Sequence, residues 1–226
     1  VHPPLPFNAR AARALREKLG MEPGHVAYGM RASFGTTHVS PEHVIAWERG
    51  THVPDLTELT ALAAALWCQP GELMGRPSTL LEHRVARGVS AEEVARATGL
   101  TVEAYLAMEE TGRWAGDKRQ SARLGEALAL PARDFIAVTG LEAELAGLLT
   151  EAVSTRWQAH VRAIAKLISM DRRELKAPLS AMQQEYQSLM AATLSRAGGT
   201  TASGEDGRRY VEHIVDHFWS RLPGGA

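Results

Sequence analysis

One stretch of this 226-residue chain crowds polar and charged side chains together: Arg31, Thr36, Thr37, His38, Ser40, Glu42, His43, Arg49, Thr51 and His52. Guanidiniums, imidazoles and hydroxyls are hydrogen-bond donors that could meet anionic or polar groups. Glu42 is the exception: it accepts hydrogen bonds and repels phosphate. Other constellations are weaker. His213 and His217 are four apart on one helix, a metal-compatible spacing, but no third ligand accompanies them. Cys68 is the single cysteine and lies beside Trp67 on an apolar helix, where an inert thiol is expected. No P-loop, glycine dinucleotide fingerprint, serine elbow or Cys-x-x-Cys pair occurs. The chain therefore offers no catalytic constellation, and no enzyme activity, metal or cofactor is expected.

The polar cluster is organised around one short helix. Ser40 is a good N-cap, Pro41 suits the first helical position and Glu42 sits in the first turn. Val44 and Trp47, three apart, share a face, and Gly50 ends the helix. Upstream, Asn8 caps a helix from Ala9 to Leu19 with Ala11, Ala12, Leu15 and Leu19 on one side. Pro23 opens a second helix carrying Val26, Ala27 and Met30. Downstream, Leu56, Leu59, Leu62, Ala63 and Leu66 repeat at helical spacing, and Pro70-Gly71-Glu72-Leu73 opens a last short helix.

This order resembles the Cro-like, lambda-repressor-like (XRE) helix-turn-helix family. The resemblance runs from Ala9 to about Met74 and is most specific at Leu15-Arg16 and at Trp47-Glu48-Arg49-Gly50 with Pro54. It implies a five-helix domain whose third helix enters the major groove of duplex DNA. It places Ser40, Glu42, His43, Ile45 and Ala46 at base edges, and Arg49, Thr51 and His52 near phosphate. The chain departs from the family in the turn before Ser40. Ala32 to His38 insert about seven residues there, bringing Arg31, Thr36, Thr37 and His38 alongside. The insertion either extends the reading surface or forms a solvent loop. Arg, Lys, Asn and Gln, the strong base readers, are missing from the helix positions.

The chain then repeats itself. Arg84 to Ser90 aligns with Arg16 to Glu22 at an offset of 84 − 16 = 68; Gly112 and Leu128 match Gly50 and Leu66 at an offset of 62. Ser90-Ala91-Glu92-Glu93 is a capping box, and Thr101 caps the next helix. In that helix Tyr105 and Met108 stand for Val44 and Trp47. The alignment pairs Arg16 with Glu48 and Arg84 with Glu109, and the resemblance implies a salt bridge in each copy. As exposed pairs they would orient helices rather than stabilise them. The second copy is acidic where the family reads DNA, with Glu103, Glu109 and Glu110, which suggests a structural or assembly role.

The expected architecture is all-α: two tandem five-helix units, 1–76 and 77–140, then a C-terminal helical domain, 141–226. In the last, a stripe from Leu141 to Ile168 predicts one long helix. Asp171 caps a second, within which Pro178 either kinks the helix or marks its first turn. A flexible connection spans 197–204, and a final apolar helix runs from Tyr210 to Leu222. That length and that apolar face predict a homodimer. The alternative use is a small-molecule effector pocket lined by Trp157, Met182, Tyr186, Phe218 and Trp219.

The formal charge of −1 gives no global basic signal. Lys plus Arg against Asp plus Glu is 7 against 7 over residues 1–76 and 8 against 9 over 77–140. One cysteine, no long apolar run and an N-terminal arm of Val1 to Pro6 unlike a signal peptide fit a cytoplasmic protein without a membrane span. The implied function is a sequence-specific DNA-binding transcriptional regulator. The competing one is a protein-interaction module that keeps the helix-turn-helix fold without reading DNA.

Overall fold

Local signals start and stop the helices. In the computed structural model, which describes residues 5–196 and 205–222, all helices and no strands are found among the described residues. They are α1 (Ala9–Lys18), α2 (Pro23–Phe34), α3 (Pro41–Glu48), α4 (Leu56–Ala65), a 3-10 helix (Pro70–Leu73), α5 (Leu80–Arg87), α6 (Ala91–Thr98), α7 (Val102–Thr111), α8 (Lys118–Ala127), α9 (Ala132–Thr139), α10 (Glu142–Ser154), α11 (Trp157–Leu167), α12 (Arg172–Arg196), α13 (Glu205–Glu212) and α14 (Ile214–Ser220). None is long and apolar enough to cross a membrane. The outermost N-terminal residues and the connection 197–204 lie outside the described residues. The chain divides into two compact units, 1–129 and 130–226.

In the first unit, Asn8 Oδ1 accepts from the Ala11 amide at 3.1 Å and Asp55 Oδ1 from Glu58 at 2.8 Å, as N-caps should. Val26, Ala27, Met30, Val44, Trp47, Leu59, Leu62 and Leu66 form its first core. The expected fifth helix is only the 3-10 turn. After it Met74 is extended and bridges Phe7, and the Asn8 amide donates to the Leu73 carbonyl at 2.8 Å. The segment from Leu5 to Phe7 is thus pinned to the end of the 3-10 helix. Val85 on α5 enters the same core, and a Cβ on Gly71 would come within 2.6 Å of the Ala86 carbonyl oxygen. Only glycine lets the 3-10 turn approach α5 so closely.

The two repeats share a clamp. Arg16 donates from Nε to Glu48 Oε1 at 2.6 Å, from Nη2 to Glu48 Oε2 at 2.8 Å, and from Nη1 to the Met21 carbonyl at 2.7 Å. Arg84 makes the same three bonds, to Glu109 at 2.6 and 3.0 Å and to the Val89 carbonyl at 3.2 Å. Each guanidinium therefore joins the repeat's first helix, the turn after it and the third helix. The pairs are not the exposed ones expected: the side chains are 10% and 9% exposed in the first copy and 11% and 4% in the second. The Glu48 hydrogen bond raises the Arg16 pKa. Burial works against the Arg84 charge, but Glu109 outweighs it and raises that pKa too. Tyr105 fills the second repeat's core, where burial pushes its phenol up.

The second unit departs from its expected layout. Helix α9, assigned from sequence to the second repeat, contributes Ile136 to the C-terminal core. The long helix expected from Leu141 breaks at Thr155, where the backbone leaves helical geometry. Thr150, Ser154 and Thr155 hydroxyls all donate to carbonyls four residues back, which competes with helix continuation. The final helix breaks at His213, between α13 and α14. Pro178 lies inside α12. Tyr210, Ile214, Phe218, Trp219 and Leu222 are buried, so the last apolar face is covered by its own unit. The two features that predicted a homodimer are therefore absent. Met182, Phe218 and Trp219 are core, with Trp157 and Tyr186 packed against it, rather than a pocket lining.

Two measurements test this packing. Arg84→Met strands a buried carboxylate and should lower the stability of the first unit by about 3 kcal/mol in urea unfolding; adding Glu109→Leu should restore most of it. Trp67 is 88% exposed with φ of 57°, a left-handed conformation costly for a bulky residue. Trp67→Asn should stabilise the chain by about 1 kcal/mol, read as a higher thermal midpoint.

Candidate nucleic-acid interface

Helix α3 sits on α1 and α2 with Val44 and Trp47 turned inward, 1% and 2% exposed. The clamp on Glu48 fixes its rotation. What remains outside is the N-terminal turn and the segment after the helix. Glu42 and His43 are exposed, Ser40, Ile45 and Ala46 are half-buried, and Arg49, Thr51 and His52 are exposed. Gly50 takes φ of 71°, ending the helix, and the Thr51 hydroxyl folds back onto the Ala46 carbonyl at 3.0 Å. Arg49 and His52 therefore flank the C-terminal end of α3.

At the other end, the Ser40 amide donates to His43 Nδ1 at 3.2 Å, and the Ser40 hydroxyl lies 3.0 Å from the same nitrogen. The imidazole edge also packs near Trp47, ring centres 6.3 Å apart. The Ser40 hydroxyl and the helix's own backbone hold the Glu42 carboxyl below its ordinary range. An ionised acceptor thus stands at the tip of the helix, able to take a donor such as cytosine N4 but opposed to phosphate.

The inserted segment is partly helix. Ala32, Ser33 and Phe34 extend α2 by about one turn until Gly35, at φ of 67°, stops it. The remaining residues, Gly35 to Val39, lead to the Ser40 cap. Their side chains divide. Thr37 and His38 are exposed, and His38 Nε2 lies 2.8 Å from Glu58 Oε1 on α4. Arg31 spans the loop instead, donating to the Val39 carbonyl at 2.6 Å. Thr36 is 3% exposed with no partner for its hydroxyl, so it is a loop anchor and not a contact residue. Of the ten candidates, Thr37, His38, Glu42, His43, Arg49, Thr51 and His52 form the accessible set. Sequence reasoning missed the exposed aromatics of α2, Tyr28 at 68% and Phe34 at 44%; for Tyr28 the available signal was its position opposite Val26, Ala27 and Met30 on the helical wheel, whereas Phe34 shares their side and is the last residue of the helix.

The second repeat presents a different surface on the same frame. Gly99, at φ of 75°, makes the tight turn between α6 and α7, and the Thr101 hydroxyl caps α7 through the Ala104 amide at 3.2 Å. Tyr105 and Glu109 face inward. Outward stand Glu103, Leu106, Ala107 and Glu110, a stripe with no cation, while Arg113, Lys118 and Arg119 are exposed farther along.

Other sequence candidates have structural partners. His217 stacks on Tyr210 with ring centres 4.4 Å apart, and among the described residues no group of three ligating side chains could hold a metal. Cys68 is half-buried, and burial pushes its thiol up to about 11, leaving it protonated at neutral pH.

Thr36→Val should fold with unchanged or slightly higher stability, because a buried hydroxyl without a partner is removed. The same variant should bind any ligand of α3 as wild type does; a binding loss would restore Thr36 to the contact set. No family model matches the chain, and comparisons with curated proteins and with solved structures return no match.

Proposed function

We propose that the chain is a sequence-specific regulator of the XRE helix-turn-helix type that binds duplex DNA through α3. One observation carries this: α3 is held by a buried ion pair at Glu48, its apolar residues face inward, and its polar N-terminal turn stands free. That is what a helix needs in order to enter a groove with its first turn against base edges. Glu42 and His43 would face bases. Arg49 and His52, with Thr37 and His38, would meet phosphate. The near-neutral balance of the unit predicts modest affinity, since phosphate contacts supply most of the attraction. A cytoplasmic location belongs to the same proposal.

A second reading applies to the second repeat. Helix α7 contains no Lys or Arg and exposes Leu106 between Glu103 and Glu110. Such a face repels phosphate and suits a protein surface or a purely structural role. The regulator would then use its first repeat on DNA and its second for scaffolding.

A mobility-shift titration of the full chain on genomic fragments at two salt concentrations tests the proposal. Retention of a subset of fragments, with affinity falling steeply in salt, supports it; no shift at low salt ends it. Arg49→Ala should weaken binding to all fragments and reduce the salt slope by about 1. Glu42→Ala should change which fragments are retained. Wild-type behaviour in both variants removes α3 as the contact surface.

A further inference from the structure

We infer that the helix-turn-helix of the first repeat is proton-sensitive, because neutral imidazoles of His25 and His43 cap both of its helices. The Glu22 amide donates to His25 Nδ1 at 3.1 Å, and the Ser40 amide donates to His43 Nδ1 at 3.2 Å. The sequences match: Glu22-Pro23-Gly24-His25 and Ser40-Pro41-Glu42-His43, a cap residue, Pro, any residue, then His. In a capping box that third helical position normally carries Glu or Gln, whose oxygen accepts the cap amide. Here a ring nitrogen takes that place twice. The two N-terminal turns also meet, since a Cβ on Gly24 would lie 4.0 Å from Pro41 Cγ.

An imidazolium cannot play this part. Once protonated, Nδ1 carries a hydrogen and accepts nothing, so each cap amide loses its partner. The new positive charge also stands at the positive end of a helix dipole. Both rings are exposed, so protons reach them. The charged groups around them are few. Near His25 is Glu22, which interacts with Arg16 of α1, itself bound to Glu48 of α3. Near His43 are Glu42 on α3 and His38 on the loop, the rings edge-on at 6.3 Å. Glu58 on α4 holds His38. Exposed carboxylates attract an imidazolium weakly and supply no acceptor for the cap amide. The cap bond needs a bare Nδ1, so it is present with neutral rings and lost when the rings are protonated.

The second repeat lacks this device. The Ser90 amide donates to Glu93 Oε2 at 2.7 Å, and that bond holds the Glu93 carboxyl below its ordinary range. Its cap persists above the carboxylate range and is lost only in stronger acid. Helix α7 is capped by the Thr101 hydroxyl, which does not titrate. Acidification therefore loosens α2 and α3 and spares α6 and α7. The consequence for DNA rests on the reading of α3 proposed above. Its first turn loses fixed geometry when the His43 cap opens, so sequence discrimination falls.

The test uses the full chain without DNA. Water-exchange NMR, corrected for intrinsic exchange, follows the Glu22, Ser40 and Ser90 amides at pH 8 and pH 5.5. Protection at Glu22 and Ser40 should fall roughly fivefold relative to Ser90, the size of a typical cap. The double variant His25→Gln, His43→Gln keeps an acceptor that does not titrate, and should abolish the fall. Unchanged protection in wild type, or an equal fall in the double variant, overturns the inference. DNA binding is not read in this experiment, so its outcome and that of the mobility shift stand apart.

Discussion

A buried guanidinium–carboxylate pair, made twice, sets the geometry of the first unit. Arg16 and Arg84 each tie one helix, the turn behind it and the repeat's third helix through three hydrogen bonds of the same pattern. A bidentate pair fixes rotation as well as distance. With Glu48 held, α3 can present only one face inward, and Val44 and Trp47 occupy it. The polar first turn is outward as a consequence. Being nearly buried, the pair cannot open cheaply, since a lone charge left inside is costly.

On that common frame the two repeats carry unlike chemistry. The first places imidazoles, a guanidinium and one ionised carboxylate around α3. The second surrounds α7 with carboxylates and an exposed leucine. The frame depends on burial and ion pairing, which are alike in both. The outer face is under no packing constraint and is free to differ. Duplication of a scaffold therefore says little about whether both copies meet the same partner.

The C-terminal unit satisfies its own apolar faces. Buried residues of α9 to α12 and of α14 meet in one core that includes Ile136, Leu149, Ile164, Leu179 and Phe218. An apolar stripe seen in sequence demands a covering surface but does not say which one. Here the covering comes from the same unit, because the break at Thr155 turns α11 back against α10 instead of extending a single rod.

Adjacent residues alone determined a great deal. The caps at Asn8, Ser40, Ser90 and Thr101, the glycine stops and the three-four apolar spacing were legible because a helix end is decided within a few positions, while the Asp55 cap emerged only in the structure. The alignment of the repeats set each Arg beside its Glu, and the family resemblance implied the salt bridge. Tertiary structure decided the rest. Only packing shows that the clamp is buried, that Thr36 points inward, that Arg31 is spent on the Val39 carbonyl, and that α9 joins the C-terminal core. Only side-chain geometry shows His25 and His43 as caps. The physical reason is common to these cases: solvent access and hydrogen-bond partners depend on what lies across from a residue in space. Sequence spacing describes only what lies along the chain.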